Sequence, residues 1–471
     1  MKHITLFNTL SKQKETLRPI KKDKVLIYSC GPTVYWNQHI GHMYAYVQWD
    51  SLIRILNYLG YKTKWVMNIT DVGHLTSDED EGEDKLEKGA KKEGISVWQI
   101  AEKYIAQFEE SLRLLNINRP DILCRATDHI QEQIELIKKI EENGFTYKTR
   151  TGLIFDTSKF PGYADFANLK LTEQLAGSRV AVDSGKKNPW DFLLWITNQP
   201  EHVMKWESPW GIGFPGWHIE CTAMSTKYLG NTFDIHTGGK EHIPVHHTNE
   251  IAQAHAAFGH PTVHLWLHNE WLMFNNEKMS KSLGNNILVS DLQNKNLNPL
   301  ALRYLILTSH YRQGINFTWE SLEASQNALN RLYGISREFL KEKGEFKGSK
   351  KDLNEWQEKF EQAITNDLGM PQALAIVWEM LKSHLSNKQK YKLLIDWDKI
   401  LGLNIKKASK NIPSLEIPGN VEALTQEREV ARQQKNWQQA DEIRKQVEIL
   451  GFYIEDTSKG PKITKKKPNQ S

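Results

Sequence analysis

Cysteine is nearly absent from this 471-residue chain: only Cys30, Cys124 and Cys221 occur. An odd number at such wide spacing argues against a disulfide framework and for a reducing, cytoplasmic setting. Long apolar runs are missing too. None approaches the ~20 residues that cross a bilayer, so no membrane partner is expected. The start, MKHITLFNTLSKQ, lacks the apolar stretch of a secretory leader. No internal repeat is visible, which sets aside solenoids and propellers. Strong net charge is absent as well: the formal value is +4, too little to mark the whole chain as a polyanion binder. Charge is instead local. DEDEGED (78–84) is acidic and reads as a solvated loop, while KGPKITKKK (459–467) is a basic tail.

The length suffices for roughly three domains of about 150 residues. VLIYSC (25–30) is a strand-type run ending at Gly31-Pro32. A helix follows near His42, with Tyr46, Trp49, Ile53, Leu56 and Leu59 at helical spacing and Gly60 as its stop. KTKWVMNIT (62–70) then alternates like a strand. Strand, helix and strand in this order predict a βαβ unit of an α/β, Rossmann-type parallel sheet, with ligands at the carboxyl ends of its strands. Residues 96–118 and 128–143 read as helices. FTYKTRTGLIFDT resembles a hairpin, and Gly/Pro/Trp-rich loops then run to 215, as in an insertion that splits the sheet domain. Helical pattern returns at 219–229 and 245–258. FDIH (233–236) and 263–274 read as strands, and 298–402 is almost wholly helical. A Pro-containing linker (411–420) precedes two helices and the basic tail.

Two short words carry chemistry. His39-Ile-Gly-His42 stands at a loop-to-helix junction after the first strand. A helix N-terminus attracts phosphate, two imidazoles there can donate hydrogen bonds to it, and Gly41 allows close approach. Lys278-Met-Ser280-Lys281-Ser282, followed by Leu-Gly-Asn, offers ammonium groups and hydroxyls that can offset charge on a departing pyrophosphate. A third feature is HIPVHHTNEIAQAH (242–255), four histidines and a glutamate in fourteen residues. Helical spacing pairs Glu250 with His246 (i, i+4) or His247 (i, i+3), and spacing alone leaves both open. In the C-terminal part, Arg428, Arg432, Lys435, Trp437, Asp441 and Arg444 mix cations, an aromatic and a carboxylate, the equipment for reading unstacked RNA bases.

YSCGPTVY, NITD, NPWDFLLW, GFPGWHIECTAM, FDIHTGG, HHTNEIAQ and KMSKSLGN, in this order, resemble cysteinyl-tRNA synthetases of class I. The match runs from FNTLSKQKE to NWQQADEIRKQ, essentially the whole chain. The resemblance implies ligation of L-cysteine to tRNA(Cys) at the cost of ATP, with Mg2+ accompanying the nucleotide. It implies one Zn2+ held by Cys30, Cys221, His246 and Glu250, a set of soft and borderline donors suited to that ion. It leaves His247 as a neighbour of the site, His242 and His255 as ordinary histidines, and Cys124 as a packing residue. It places Gly31, Thr70, Trp217 and His236 around the cysteine. His39, Gly41, His42, Gly238, Gly239, Lys278, Ser280 and Lys281 fall around ATP, with His39, His42, Lys278 and Lys281 as the catalytic groups. Arg428, Arg432, Trp437, Asp441 and Arg444 then face the tRNA. The implied organisation is a first catalytic half (1–125), an inserted α/β segment (126–215), a second catalytic half (216–275), the KMSKS loop and stem-contact region (276–318), a helical bundle (319–410) and an anticodon-binding unit (411–471), in a monomer. The 144–215 stretch is read as lying near the tRNA acceptor end rather than as an editing site.

The chain departs from the family pattern in places. VGHLTSDEDEGED reads as a surface insertion near 72–84. Thr248 stands where Glu is frequent, Pro244 precedes the usual position by one, and HTGGKEH replaces an HGGGSD-like run. Two alternatives share part of the pattern: an enzyme joining cysteine to an amino sugar, which lacks a tRNA-reading unit, and a non-catalytic tRNA-binding relative, which needs neither phosphate-binding word. A zinc hydrolase is disfavoured, because two thiolates plus a carboxylate leave no evident open site for water.

Overall fold

A computed structural model of the chain describes residues 2–73, 84–169, 185–279, 286–341, 350–410, 418–457 and 460–465. Ser280 and Lys281, most of the acidic 72–84 stretch and most of the 411–420 linker lie outside the described residues. Two units separate, residues 1–406 and 407–471.

The first unit is built on a five-stranded, all-parallel sheet. Its spatial order is Val263–Asn269, Phe233–Gly239, Lys24–Ser29, Lys62–Ile69, Ile122–Arg125. The chain starts in the middle, builds outward to one edge, then returns to build the other side. The strand order therefore reverses between Lys24–Ser29 and Phe233–Gly239, where carboxyl ends open a crevice. Helices cover both faces, so the strands are apolar on both sides. Trp65–Ile69 are buried one after another, where the sequence had suggested alternation; a half-exposed strand alternates and a fully covered one does not. The helix Ile40–Tyr58 follows the first strand and buries residues all around its circumference.

Between the two halves of the sheet, a helix (Ile130–Glu142) leads into a four-stranded antiparallel sheet of Thr146–Lys148, Gly152–Phe155, Phe192–Ile196 and Phe214–Pro215. Its apolar side chains share one core with the parallel sheet, through Leu153, Phe155, Trp195 and Phe214. After the parallel sheet, a small sheet joins Glu277–Lys278, Leu272–Phe274 and Ile315–Phe317. The strand Ile315–Phe317 lies in a stretch expected to be helical; its parallel pairing with Leu272–Phe274 is a long-range contact that local pattern does not show. Among the described residues, five helices then run from Pro299 to Leu401. Among the described residues no helix is long and apolar enough to cross a membrane.

The second unit packs the helices Gly419–Gln433 and Trp437–Ile449 on a hairpin, Phe452–Thr457 with Gly460–Lys465. Val421, Val447, Phe452 and Ile454 form its core. Part of the basic tail is thus an ordered strand. Its lysines are spaced along a backbone that pairs with Phe452–Thr457, a pairing that the cationic composition hid.

His202 joins the inserted segment to the loop after Lys62–Ile69. Its Nε2 donates to the Gly73 carbonyl (3.0 Å) and lies 2.7 Å from Asp84 Oδ2, and its Nδ1 is 2.9 Å from the Met204 carbonyl. Facing oxygen on both sides, the ring is held as an imidazolium. Burial opposes that charge, and the Asp84 carboxylate outweighs burial and raises the pKa. A raised folded-state pKa gives stability that is fully present below the unfolded value, about 6.5, and is lost as pH rises through the folded value. His202→Gln should therefore lower the thermal midpoint at pH 6 and flatten its fall between pH 6 and pH 9. Equal pH slopes in the two proteins would contradict this.

Candidate active site

The crevice at the strand reversal is a cleft of about 560 Å³ that continues into a smaller cavity of about 150 Å³. Cys30, Gly31, Thr33, Trp217, Glu241 and His242 line both.

The large cleft contains the first histidine word. His39 is the N-cap of the helix Ile40–Tyr58. Its Nδ1 accepts the Gly41 N–H (3.0 Å), while His42 Nδ1 accepts the His39 N–H (3.2 Å). An Nδ1 that accepts must be unprotonated, so each neutral ring carries its proton on Nε2 and can donate from there. Burial lowers the pKa of both, to about 4 for His39, and the His42 shift is reinforced by its neighbours His39 and His242. The pair therefore acts as neutral donors at pH 7. A Cβ at Gly41 would press on the His39 ring, which is why glycine separates them. Met279 reaches the same cleft. Lys278 ends the short strand paired with Leu272–Phe274, at Met273. Gly238 and Gly239 close the strand Phe233–Gly239 on the cleft wall, and a Cβ at Gly238 would collide with the rings of His247 and His242.

The small cavity ends at a cluster of ligating atoms. Cys30 follows the first strand, Cys221 is on the helix Trp217–Leu229, His246 is in a π-turn (Ile243–His247), and Glu250 is on the helix Thr248–Phe258 that continues it. One ligand atom from each lies within 4.8 Å of the others. His246 Nε2 is 3.1 Å from Glu250 Oε1. The Cys30 thiol donates to Cys221, and that hydrogen bond outweighs burial in taking the Cys221 pKa down to about 7. Cys30 itself is pushed up by burial and by Cys221. Burial disfavours charge on His246 and Glu250, yet their charged partners prevail: His246 is raised to about 10 and Glu250 held at about 2. Glu250 Oε1 is buried and faces His246 Nε2 as an ion pair without a well-aligned hydrogen bond. A buried carboxylate oxygen so placed, beside two sulfurs and an imidazole, fits a cation.

A second quartet, Cys30, His236, His247 and Glu250, is equally tight. Cys30 Sγ is 3.2 Å from His247 Nε2, and His236 Nε2 is 2.9 Å from Glu250 Oε2. The two sets differ in access. Cys221 and His246 line the small cavity, whereas His236 and His247 line neither cavity. His236 was expected beside the amino acid. It sits behind Glu250 instead, stacked on Trp266 at 4.5 Å between centroids, because its strand face points to the core. His246 Nδ1 lies 2.9 Å from His218 Nδ1, which fixes the ring with Nε2 toward the cluster.

Gly31 N–H donates to Asn68 Oδ1 (2.8 Å), and any Cβ at Gly31 would overlap the Asn68 carbonyl. Thr70 Oγ1 donates to Glu220 Oε2 (2.9 Å) and accepts from Asn68 Nδ2 (3.1 Å). Asn68, Glu220 and His242 escaped sequence reasoning. The first two act through contacts across the sheet, and His242 lay in a histidine run with no spacing to single it out. Cys124 is buried against the Met67 carbonyl, with its thiol raised to about 12 by burial. A third cluster, Asp84, Glu87 and His202, lines neither cavity.

A family model described as tRNA synthetases class I (C) catalytic domain matches residues 16–327, and one described as cysteinyl-tRNA ligase anticodon binding domain matches 415–461. The cysteine–tRNA ligase 1 of Burkholderia lata is 44% identical over 463 residues, covering 98% of this chain and 96% of that protein. That of Treponema denticola is 43% identical over 482 residues, covering 96% and 98%. This chain belongs to the cysteinyl-tRNA synthetase family. Its fold is also that of a Mycobacterium tuberculosis methionyl-tRNA synthetase solved in complex with methionyl-adenylate. That likeness has a TM-score of 0.59 at 16% identity, over 82% of this chain and 93% of the other.

In this chain the C-terminal unit holds the five residues expected at tRNA. Arg428 is buried, its guanidinium on Asp456 of the hairpin (2.8 and 2.9 Å), and Arg432 shares that carboxylate. Arg444 Nη2 donates to the Ile454 carbonyl (3.3 Å). Trp437 and Asp441 are exposed. Arg428 is committed within the unit because Asp456, invisible as a partner in sequence, lies across from it.

Proposed function

We propose that the chain is a cysteine–tRNA ligase that activates L-cysteine with ATP and transfers it to the 3′ end of tRNA(Cys). The carrying observation is the 150 Å³ cavity, sized for a small amino acid, with Cys30, Cys221 and His246 on its wall and opening into the larger cleft with His39 and His42. Cys30, Cys221, His246 and Glu250 would hold one Zn2+; the access of this set to the small cavity favours it over the sealed set with His236 and His247. When bound, zinc supplies a soft Lewis acid for the substrate thiolate, which serine's hydroxyl cannot match.

The protein's own groups do the rest. Trp217, Gly31 and Thr70 shape the amino-acid cavity, with Asn68 and Glu220 fixing Thr70, and His236 orients Glu250. ATP, with Mg2+, occupies the large cleft against Gly41, Gly238 and Gly239. A cysteine carboxylate oxygen attacks the α-phosphorus, and the bond to the β-phosphate oxygen breaks as pyrophosphate leaves. His39 and His42 donate to phosphate oxygens, and Lys278, Ser280 and Lys281 meet the departing pyrophosphate. The terminal ribose hydroxyl of tRNA then attacks the adenylate carbonyl. AMP leaves and its phosphate takes up the hydroxyl proton. No side chain need act as nucleophile; positioning and charge suffice. Trp437, Asp441, Arg432 and Arg444 stand on the anticodon-binding unit, with Arg428 shaping it. The domain limits given above and a monomeric state complete the reading. The match to an anticodon-binding model disfavours an amino-sugar ligase.

Cysteine-dependent ATP–pyrophosphate exchange, with serine as the competing substrate, is the direct test. Exchange with cysteine and roughly 10⁴-fold less with serine is expected, since a pocket built for one specific contact rejects the analogue lacking it. No exchange with cysteine would refute the ligase, and equal exchange would refute selection through the thiol.

A further inference from the structure

His242 was expected to be an ordinary histidine, yet three facts align it with His39 and His42. It lines the same large cleft. Its Nδ1 accepts a backbone N–H, from Gly239 at 3.0 Å, just as His39 accepts from Gly41 and His42 from His39. It lies close enough to His42 to disfavour charge on that ring. With Nδ1 accepting, the proton resides on Nε2, the donor tautomer shared by the other two. The three rings come from two adjacent strands: His39 and His42 follow Lys24–Ser29, and His242 follows Phe233–Gly239. They therefore stand on either side of the strand reversal. His242 also lines the small cavity, so it sits where the two compartments meet. That junction is where an amino-acid carboxylate must reach the α-phosphate.

We infer that His242 is a third phosphate-binding imidazole, donating its Nε2–H to an α-phosphate oxygen of ATP from the wall opposite His39 and His42. The inference rests on the ligase reading and adds a contact to it. Glycine at 238 is part of the device, because a Cβ there would press on the His242 ring. A donor aimed at developing phosphate charge acts mainly on the chemical step, so its loss appears in kcat more than in the KM for cysteine.

Cysteine-dependent exchange should be measured on the zinc-loaded full chain for His242→Leu, which fills the space without a donor, and His242→Gln, whose amide nitrogen reaches the Nε2 position. The expected result is a roughly 100-fold lower kcat for the leucine variant, with the KM for cysteine within about threefold and most of the rate restored by glutamine. Leucine and wild-type proteins of equal kcat would overturn the inference, as would leucine and glutamine variants that are equally slow, which would mean that the ring serves only to hold Gly239. Should the leucine variant not fold, ¹⁵N-imidazole spectra of the wild type decide. The His242 signal, assigned by its loss in the glutamine variant, should show an Nε2–H ring that shifts on adding Mg-ATP; an unshifted signal overturns the contact. His39→Ala separates the two levels of the argument. If it loses exchange while His242→Leu does not, the ligase reading stands and this inference falls. If the wild type shows no exchange, the ligase reading falls, and the Mg-ATP shift still judges the histidine.

Discussion

Cys221→Ser is expected to purify with little or no zinc and to lose cysteine-dependent exchange by a factor on the order of 10⁴. Cys221 is buried and sits within 4.8 Å of the ligand atoms of Cys30, His246 and Glu250. The Cys30 hydrogen bond draws its thiol down to about 7, toward the thiolate, which is the ligating form. Serine's hydroxyl stays protonated there and is a hard donor. The substitution also removes the anion that raises His246 to about 10, so the imidazole, carboxylate and Cys30 lose their common partner. Metal analysis by mass spectrometry together with the exchange assay checks this. Full zinc occupancy with an unchanged KM for cysteine would refute the ligand set. Cys124→Ser is the control. That thiol is buried against Met67, away from both cavities, and its variant should keep both zinc and exchange.

Arg303→Ala should be strongly destabilising although it lies outside the site, costing about 3–5 kcal/mol. Arg303 is fully buried in the helix Pro299–Leu307. Its Nη2 donates to Asp50 Oδ2 (2.6 Å), Nε to the Leu401 carbonyl (2.7 Å), and Nη1 to the carbonyls of Leu115 and Asn116 (both 3.1 Å). Those carbonyls end two other helices, Val97–Leu114 and Asn387–Leu401. One guanidinium thus satisfies orphan groups at two helix C-termini and neutralises an aspartate on a third helix. Alanine removes the side-chain donor of the Leu115 and Leu401 carbonyls, whereas the Asn116 carbonyl keeps Arg54 Nη2 (2.7 Å) and Asp50 keeps the Asn118 N–H (2.9 Å). Arg54 Nε also reaches Asp50 (2.7 Å), which keeps the cost below that of a wholly isolated carboxylate. Urea unfolding of the two proteins measures it, and a loss under about 1 kcal/mol would show that water replaces the guanidinium without penalty.

Some of this architecture was legible in the residues alone. His39, Gly41 and His42 read as a phosphate-binding turn because the strand before and the helix after are local signals. Glu250 read as the partner of His246 or His247, because i, i+4 and i, i+3 spacings both fit a helix face; the family resemblance singled out His246, which the π-turn leaves 3.1 Å from Glu250. The order strand, helix, strand announced a parallel sheet, although Lys62–Ile69 read as alternating and is buried continuously from Trp65. The C-terminal hairpin was not legible: strand Gly460–Lys465 (GPKITK) has two lysines, a glycine, a proline and a threonine around one isoleucine, and only pairing with Phe452–Thr457 makes it a strand.

Composition and local order therefore determined the fold class, the two phosphate-binding words and the list of possible metal donors, since each rests on residues near in sequence. The tertiary structure decided which donors share a cavity. Cys30 and Cys221 are 191 positions apart, and only the crossing of the helix Trp217–Leu229 over the sheet brings them together. It likewise moved His236 behind Glu250, tied Arg428 to Asp456, and raised His242 from a neighbour in a histidine run to a wall of both compartments. Those outcomes depend on which face of a strand or helix meets which other, and that is set by packing over the whole unit rather than by any local pattern.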